Sequence, residues 1–195
     1  MDEETEYRIR QVQAGDIQAY DYIVKKHQRQ IFVYCWRLLG SEQEAEDAVQ
    51  DILVHAFERI RQYKPTVSFS AWLYKMAYHH CLNLIRRRQL QRKFSLLLPK
   101  GQTAESPDQT MERRLFSEPL SRALDRLTAE ERNLLVLRVF EEKSFEEIGQ
   151  ITGRSQEAAK KKYARTKTKL KTVMEEIKEE HKPCVSYNTT AKNKA

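Results

Sequence analysis

Apolar residues recur at every third or fourth position along almost the whole chain. This spacing puts them on one side of an α-helix, so each periodic segment is predicted to be an amphipathic helix with one buried face. In the first half of the chain the spacing covers residues 7–14, 17–39, 42–63 and 68–88, and in the second half it covers residues 120–127, 129–140, 145–152 and 156–171. Glycine and proline number five each, which leaves few points where a helix must break. The pattern predicts an all-α protein.

Helix start and stop signals coincide with the ends of these segments. Ser41, Thr128 and Ser144 are each followed three residues later by a glutamate, which is the capping-box pattern of a helix N-terminus. Gly40 and Gly153 stand where a glycine C-cap or turn is expected. Single polar caps are predicted at the remaining starts: Asp16, Ser68 or Ser70, and Ser155.

The helical periodicity fails between residues 94 and 114, in a stretch with two prolines, a glycine and mixed polar residues. A stretch of this length and composition is predicted to be a flexible linker. It divides the chain into an N-terminal helical bundle of residues 1–93 and a C-terminal helical domain of residues 115–178. Residues 179–195 are polar and irregular, and we predict that they form a disordered tail.

Composition argues against several classes of protein. The 195 residues contain no apolar window long enough to span a membrane, and the N-terminus is acidic where a secretory signal is basic, so we expect a cytoplasmic protein without direct membrane insertion. Cys35 and Cys81 fall on apolar stripes and are predicted to be core thiols; a metal held by them with His79 and His80 is the alternative, which their spacing does not require. No nucleotide-binding loop and no paired nucleophile and base are recognisable, so neither enzyme activity nor a cofactor is expected.

The helix predicted from residue 42 carries a concentrated acidic face. Glu44, Asp47 and Asp51 lie on one side of it, with Gln50 close by, and residues 42–51 hold five anions and no cation. DNA repels such a surface, so we interpret it as a docking site for a basic protein. The alternative is a solvated acidic first turn favoured by the helix dipole, which accounts for Glu44 better than for Asp51.

The segment 68–88 is predicted to be a helix with two chemically different faces. One face can pack into a core and contains Leu73, Ala77, His80, Cys81 and Leu84. The other carries Trp72, Lys75, His79, Asn83 and Arg86. An aromatic plane for bases beside cations for phosphates is typical of a nucleic-acid surface. The alternative is an interfacial tryptophan beside a solvated charged face.

The net charge of +7 is concentrated near the end of the chain, where residues 153–171 hold eight cations and one anion. A short helix, a turn at Gly153 and a capped helix with its cations in front make up a helix-turn-helix, whose second helix enters the major groove. The alternative is a solvated lysine-rich helix. Near the N-terminus of the second helix, four residues are placed to contact base edges: Gln156, Glu157, Lys160 and Lys161. Four cations further along are placed to contact phosphates: Lys162, Arg165, Lys167 and Lys169. Ala158, Ala159, Tyr163 and Leu170 are predicted to pack.

Three motifs in this order resemble those of the extracytoplasmic-function sigma factors of the sigma-70 superfamily. They are Ala-Glu-Asp-Ala-Val-Gln-Asp (45–51) followed by Phe57, Phe-Ser-Ala-Trp-Leu-Tyr-Lys-Met-Ala (69–77) leading into three arginines (86–88), and Leu-Thr-Ala-Glu-Glu-Arg (127–132) with Phe-Glu-Glu-Ile (145–148). The resemblance covers residues 8–172. At three places the chain departs from the usual pattern, with His79 and Asn83 in the second motif and Glu-Ala-Ala-Lys (157–160) opening the last helix.

The resemblance implies a promoter-specificity subunit that binds core RNA polymerase and promoter DNA. Its acidic helix corresponds to the surface that docks on the clamp helices of the β′ subunit, with further contacts to the β subunit, and the implied docking residues are Glu44, Asp47, Gln50 and Asp51. The implied minus-ten DNA residues are Lys64, Ser68, Phe69, Trp72, Lys75, His79, Asn83, Arg86 and Arg87, with a pocket for an extruded base at residues 64–70. The implied minus-thirty-five DNA residues are Arg154, Ser155, Gln156, Glu157, Lys160, Lys161, Lys162, Arg165 and Lys167. A separately encoded anti-sigma factor, which can hold such a protein at the membrane of a bacterial cell, is also implied.

Two other functions are compatible with parts of the sequence. An autonomous helix-turn-helix regulator that binds duplex DNA as a dimer accounts for the C-terminal domain, but it assigns no role to the acidic face or to Trp72. An adaptor that uses only its first domain for protein contacts leaves the basic charge of residues 153–171 unexplained. Transcription initiation for a stress or envelope regulon accounts for all three features.

Overall fold

A computed structural model describes residues 2–97 and 116–180, and all regular elements in these two ranges are helical. The N-terminal range contains α1 (Glu3–Gln13), α2 (Ala19–Leu39), α3 (Glu42–Arg59), a 3-10 turn (Ile60–Gln62) and α4 (Phe69–Leu97). The C-terminal range contains α5 (Glu118–Asp125), α6 (Ala129–Leu135), a π turn (Val136–Phe140), α7 (Phe145–Thr152) and α8 (Gln156–Glu180). The all-α prediction is confirmed. None of the helices in the described ranges combines the length and apolar character needed to cross a membrane.

Helices α2 and α4 form the centre of the N-terminal region. Tyr34 of α2 and Tyr74 of α4 are fully buried, and their rings meet edge to face with centroids 5.0 Å apart. Cys35 and Cys81 are buried in the same core, as predicted. The contact with the Cys81 thiol, together with burial, raises the pKa of the Cys35 thiol, so Cys35 stays protonated as an apolar core residue.

The local signals located most helix ends correctly. Gly40 ends α2 in the left-handed conformation at φ 78°. Thr128 and Ser144 form complete capping boxes, in which each side chain accepts from the amide three residues on and the glutamate there accepts in return from the cap amide. Ser68, rather than Ser70, caps α4 by accepting from the amide of Ala71 at 3.2 Å. Because these interactions span only three residues, the sequence pattern is sufficient to predict them.

Several boundaries differ from the prediction. Helix α3 ends at Arg59 and continues as a 3-10 turn instead of reaching residue 63. Helix α4 extends to Leu97, four residues into the predicted linker. The helix predicted through residue 140 changes to a π turn after Leu135. The rest of the predicted linker and residues 181–195 of the predicted tail lie outside the described residues.

The C-terminal region packs directly on the N-terminal region. Helix α7 lies against α4, and α6 and the π turn contact α2. Buried residues of the C-terminal region, including Leu137 and Ile148, belong to the same apolar core as Tyr34 and Tyr74. The described residues of both regions therefore share one continuous core, which the sequence pattern did not predict.

Candidate nucleic-acid interface

Helix α4 has three faces instead of the two that its sequence predicted. Leu73, Ala77 and Cys81 are fully buried in the core, as expected from their spacing. Tyr74 and Tyr78 occupy a second buried face, which lies towards the C-terminal region, where the Tyr74 hydroxyl bonds Glu141 and Tyr78 lines a small cavity with Glu130 and Arg154. The third face remains exposed and carries the candidate DNA residues.

The candidate base-binding surface is built from an aromatic cluster at the start of α4. The ring of Trp72 packs on Phe69 at 5.3 Å and on Tyr63 at 5.5 Å between centroids. Phe69 is only 3% exposed and also contacts His27, so it supports Trp72 and cannot reach DNA in this structure. This corrects the assignment of Phe69 as a DNA-contacting residue. Trp72 is half-buried, because one side of its ring is fixed by this packing.

A cleft of about 370 Å³ lies beside Trp72 and is lined also by Lys64 and Lys75. Two cations next to an aromatic ring are suited to an unstacked base and its phosphates. Further along α4 the exposed face continues with Lys75, His79, Asn83, Arg86 and Arg87. Partial burial, with help from Lys75 and Arg86, lowers the pKa of His79, so the imidazole is neutral near pH 7 and can both donate and accept a hydrogen bond. Ser68 is committed to capping α4.

Helix α3, which packs against α4, carries the acidic face. Asp47, Gln50 and Asp51 are exposed, and the exposed side chain of Val54 continues the same face one turn on. Glu44 is different, because it is half-buried and forms an ion pair with Arg88 at 3.2 Å. This pair also explains why Ser41 forms only half of its predicted capping box: Ser41 accepts from the amide of Glu44, but the Glu44 carboxylate is turned towards Arg88.

Arg88 holds α4 to the junction of α2 and α3, because it pairs with Glu44 of α3 and also donates to the carbonyl oxygen of Leu39, the last residue of α2, at 2.9 Å. Asp51 approaches His80 of α4 at 3.8 Å. The acidic face and the basic face therefore belong to one rigid pair of helices. Of the four predicted docking residues, Glu44 is paired within the protein. Among the described residues, Asp47 forms no ion pair, and Asp51 has only its approach to His80.

The helix-turn-helix depends on two glycines with different roles. Gly153 ends α7 in the left-handed conformation at φ 69°, which favours glycine. Gly149 lies inside α7, where an added Cβ would come within 2.7 Å of the Arg154 carbonyl oxygen. The turn therefore passes directly over Gly149. Sequence reasoning missed this residue, although an isolated glycine inside a predicted helix is a signal of close backbone approach.

The predicted DNA-reading residues lie together on the exposed surface at the start of α8. Ser155 caps the helix by accepting from the amide of Ala158 at 3.2 Å. Six of the others are also exposed: Gln156, Glu157, Lys160, Lys161, Arg165 and Lys167. Ala158, which had been predicted to pack, is exposed beside them. Ala159 packs as predicted.

Three cations of this region are already paired within the protein. Glu130 binds Arg154 at 2.9 Å and also binds Lys162. The hydrogen bond from Lys162, assisted by Arg154, lowers the pKa of the Glu130 carboxyl. Glu131 pairs in the same way with Lys169 at 2.8 Å. These carboxylates orient cations at the turn before α8 and along α8, and sequence reasoning missed them because they lie 24 to 38 residues away in the chain.

Two family models match the chain. The model for Sigma-70 region 2 matches residues 23–91, and the model for Sigma-70, region 4 matches residues 117–170. Together they cover more than half of the chain. The first range contains the acidic face of α3 and the exposed face of α4, and the second contains the helix-turn-helix.

Similar proteins agree with this match. The RNA polymerase sigma factor YlaC of Bacillus subtilis (strain 168) is 28% identical over 163 residues, which are 82% of this chain and 94% of that protein. The ECF RNA polymerase sigma factor SigW of the same organism is 28% identical over 157 residues, 74% of this chain and 82% of that protein. The sigma factor RpoE, solved in complex with the anti-sigma factor NepR from Bartonella quintana, has the same fold, with a TM-score of 0.64, 20% identity and coverage of 82% of this chain and 98% of that one. The chain belongs to the extracytoplasmic-function sigma factors of the sigma-70 family.

Proposed function

We propose that this sigma factor docks on core RNA polymerase through Asp47, Gln50 and Asp51, and that it holds promoter DNA on the exposed faces of α4 and α8. Family membership makes the chain a non-catalytic transcription initiation factor, one that binds core RNA polymerase and directs promoter-specific initiation. It also decides against an autonomous helix-turn-helix regulator.

The separation of charge between neighbouring helices is the observation that carries the proposal. Asp47 and Asp51 project from α3, while Lys75 and Arg86 project from α4, and both pairs are exposed. The carboxylates of α3 repel the phosphates of DNA held on α4. They are therefore available to bind a basic protein surface. The exposed apolar side chain of Val54 beside the carboxylates suits a protein contact better than a phosphate contact.

The docking surface can be tested by charge reversal. The variant with Asp47→Arg and Asp51→Arg should lose co-purification with core polymerase while its helix content and melting temperature stay close to those of the wild type, because both side chains are exposed. A matched control carries Glu3→Arg and Asp21→Arg, two exposed acidic residues on other helices. If both variants bind polymerase equally well, the acidic face is not the docking site.

The base-binding role of Trp72 is tested separately. Trp72→Ala should reduce strand opening by about 5- to 150-fold, because stacking of a base on an aromatic ring contributes about 1–3 kcal/mol. Permanganate reactivity of unpaired thymines measures opening, and gel-shift at low temperature measures closed binding, which should change little. Trp72→Phe retains a ring and should recover most of the opening. Equal losses of closed binding and opening would contradict the assignment.

We also propose the domain limits expected from the sequence, with a polymerase-binding and minus-ten domain at residues 1–93, a linker at 94–114 and a minus-thirty-five domain at 115–178. The positions of the two family matches support these limits. Limited proteolysis of the intact protein should cut first within residues 98–114. A first cut inside either matched range would refute these limits.

Regulation by a separately encoded anti-sigma factor in the cytoplasm is proposed by analogy. The Bartonella quintana sigma factor was solved with such a partner, and that chain shares the fold of this one. Cell fractionation followed by cross-linking in uninduced cells should find the protein in the soluble or inner-membrane fraction, bound to a single stoichiometric partner and not to polymerase. Finding it bound to polymerase before induction would count against this form of control.

A further inference from the structure

Helix α1 lies outside the range matched by the Sigma-70 region 2 model, which begins at residue 23. It is nevertheless fixed firmly to α2. Ile9 and Val12 of α1 are buried in the N-terminal core, and Lys26 of α2 pairs with Asp2, the residue before α1. The position of α1 relative to α2 is therefore set by both apolar and charged contacts.

Two polar side chains of α1 bond the segment that follows α3. Nε2 of Gln13 donates to the carbonyl oxygen of Ile60 at 2.8 Å and to that of Tyr63 at 3.1 Å. Glu6 accepts a hydrogen bond from the hydroxyl of Tyr63 at 2.6 Å. Glu6 and Gln13 are seven positions apart, so they lie on the same side of the helix. One side of α1 thus holds the 3-10 turn and Tyr63 in place.

Tyr63 connects α1 with the aromatic cluster at the start of α4. Its ring packs on Phe69 at 5.3 Å and on Trp72 at 5.5 Å between centroids. Its hydroxyl also lies 2.9 Å from the carbonyl oxygen of Val67. Burial, together with the bond to Glu6, raises the pKa of the Tyr63 hydroxyl, which therefore keeps its proton as a donor. A single hydroxyl thus joins Glu6 to the loop at residues 64–68 and to the support of Trp72.

This loop forms part of the wall of the cleft beside Trp72. Lys64, Thr66 and Val67 line the cleft, and so does Gln62 at the end of the 3-10 turn. The loop lies between the 3-10 turn and α4 and has no helical hydrogen bonds of its own to fix its shape. A binding site whose wall is already ordered loses less conformational entropy when its ligand enters. The contacts from α1 supply that order here.

We propose that Glu6 is a positioning residue for the base-binding cleft: through the Tyr63 hydroxyl it holds the loop at residues 64–68 in the shape that accepts an unstacked base. Gln13 assists by fixing the carbonyl groups of the preceding turn. Glu6 itself is only 9% exposed, so it acts through Tyr63 and does not contact DNA. This inference rests on the proposed base-binding role of Trp72.

The test uses the full chain with core polymerase, at a promoter identified by run-off transcription on genomic DNA. Glu6→Ala should reduce strand opening by about 10-fold, the size expected for losing a hydrogen bond to a charged group, because a smaller fraction of the protein then has the competent cleft. Closed binding in a gel shift should not change. Glu6→Gln keeps an oxygen acceptor for Tyr63 and should recover most of the opening. Glu3→Ala is the matched control, because it removes the same charge from an exposed position of the same helix.

A double-mutant cycle shows whether Glu6 acts through Tyr63. Tyr63→Phe removes the hydroxyl but keeps the ring that supports Trp72, and it should lose as much opening as Glu6→Ala. The double variant should lose no more than either single variant. Losses that add would overturn the proposal, as would a Glu6→Ala protein that behaves like Glu3→Ala. If circular dichroism shows that Glu6→Ala does not fold, Tyr63→Phe decides alone, and unchanged opening in that variant overturns the proposal.

A measurement on the free chain separates this proposal from the base-binding role of Trp72. In a Trp36→Phe background Trp72 is the only tryptophan of the chain. Acrylamide should then quench the Trp72 fluorescence more strongly in Glu6→Ala than in Glu3→Ala, because the surrounding loop is less ordered. Increased quenching together with normal opening by Trp72→Ala would support the positioning role and refute the base-binding role. Impaired opening by Trp72→Ala, with quenching and opening that ignore Glu6, would support the base-binding role and refute the positioning role.

Discussion

Replacing Gly149 with alanine tests how tightly the helix-turn-helix is built. The substitution puts a Cβ 2.7 Å from the Arg154 carbonyl oxygen and 3.4 Å from the Gln156 amide nitrogen. Both atoms belong to the backbone, so neither can rotate away as a side chain would. The turn is further held in place because the Gly149 carbonyl accepts from the amides of Gly153 and Arg154.

The sign of the effect follows from two opposing contributions. Alanine inside a helix is more favourable than glycine by about 1 kcal/mol. Overpacking of a closely fitted site costs about 1–3 kcal/mol, and the upper part of that range applies where backbone must move. We therefore expect Gly149→Ala to lower the free energy of unfolding by about 1–2 kcal/mol, and to weaken minus-thirty-five DNA binding because α8 shifts relative to α7.

Variants at Gly153 distinguish a steric clash from backbone strain as the cause of a loss of stability. An added Cβ at Gly153 meets nothing within 4 Å, but the left-handed backbone at φ 69° disfavours alanine by about 1–2 kcal/mol. Asparagine tolerates that conformation, so Gly153→Asn should recover much of the stability lost in Gly153→Ala. Gly149→Asn should recover nothing. Urea unfolding followed by circular dichroism measures all four variants; a Gly149→Ala protein as stable as the wild type would refute the proposed steric clash.

The remaining predictions concern pH and DNA affinity. Burial, assisted by the charge of Lys26, lowers the pKa of His27 to about 4 in the folded protein, compared with about 6.5 in the unfolded chain. Between these two pH values the unfolded state binds more protons than the folded state. The free energy of unfolding therefore falls as the pH falls, by about 3 kcal/mol in total. His27→Leu should remove this part of the pH dependence in urea titrations at pH 4.5 and 7.5, and an unchanged profile would show that His27 does not titrate in this way. Glu130→Gln should release Arg154 and Lys162 for phosphates and raise affinity for minus-thirty-five DNA, with a salt dependence steeper by up to about two phosphate contacts. Glu146→Gln removes the same charge from an exposed position, and an equal gain from it would indicate general electrostatics only.

Local sequence patterns were sufficient to predict most of the secondary structure and the kind of surface that each helix carries. Thr128, Ser144 and Gly40 cap their helices through contacts within four residues, and contacts of that range follow from local pattern. The exposure of Asp47 and Lys75 follows equally from helical periodicity, because that periodicity separates polar from apolar positions. Three motifs in a fixed order were sufficient to indicate the family.

The contacts that each helix face makes became known from the packing of the helices. Phe69 was a candidate for DNA contact and was found beneath Trp72, and Glu44, a candidate for polymerase contact, was found paired with Arg88. The bonds from Arg37 and Tyr74 to Glu141 join residues 104 and 67 positions apart in the chain. Helical periodicity states which side of a helix is apolar, but contacts between distant segments depend on how whole helices pack. For that reason the contacts of Glu141 with α2 and α4 could not be predicted from the sequence pattern.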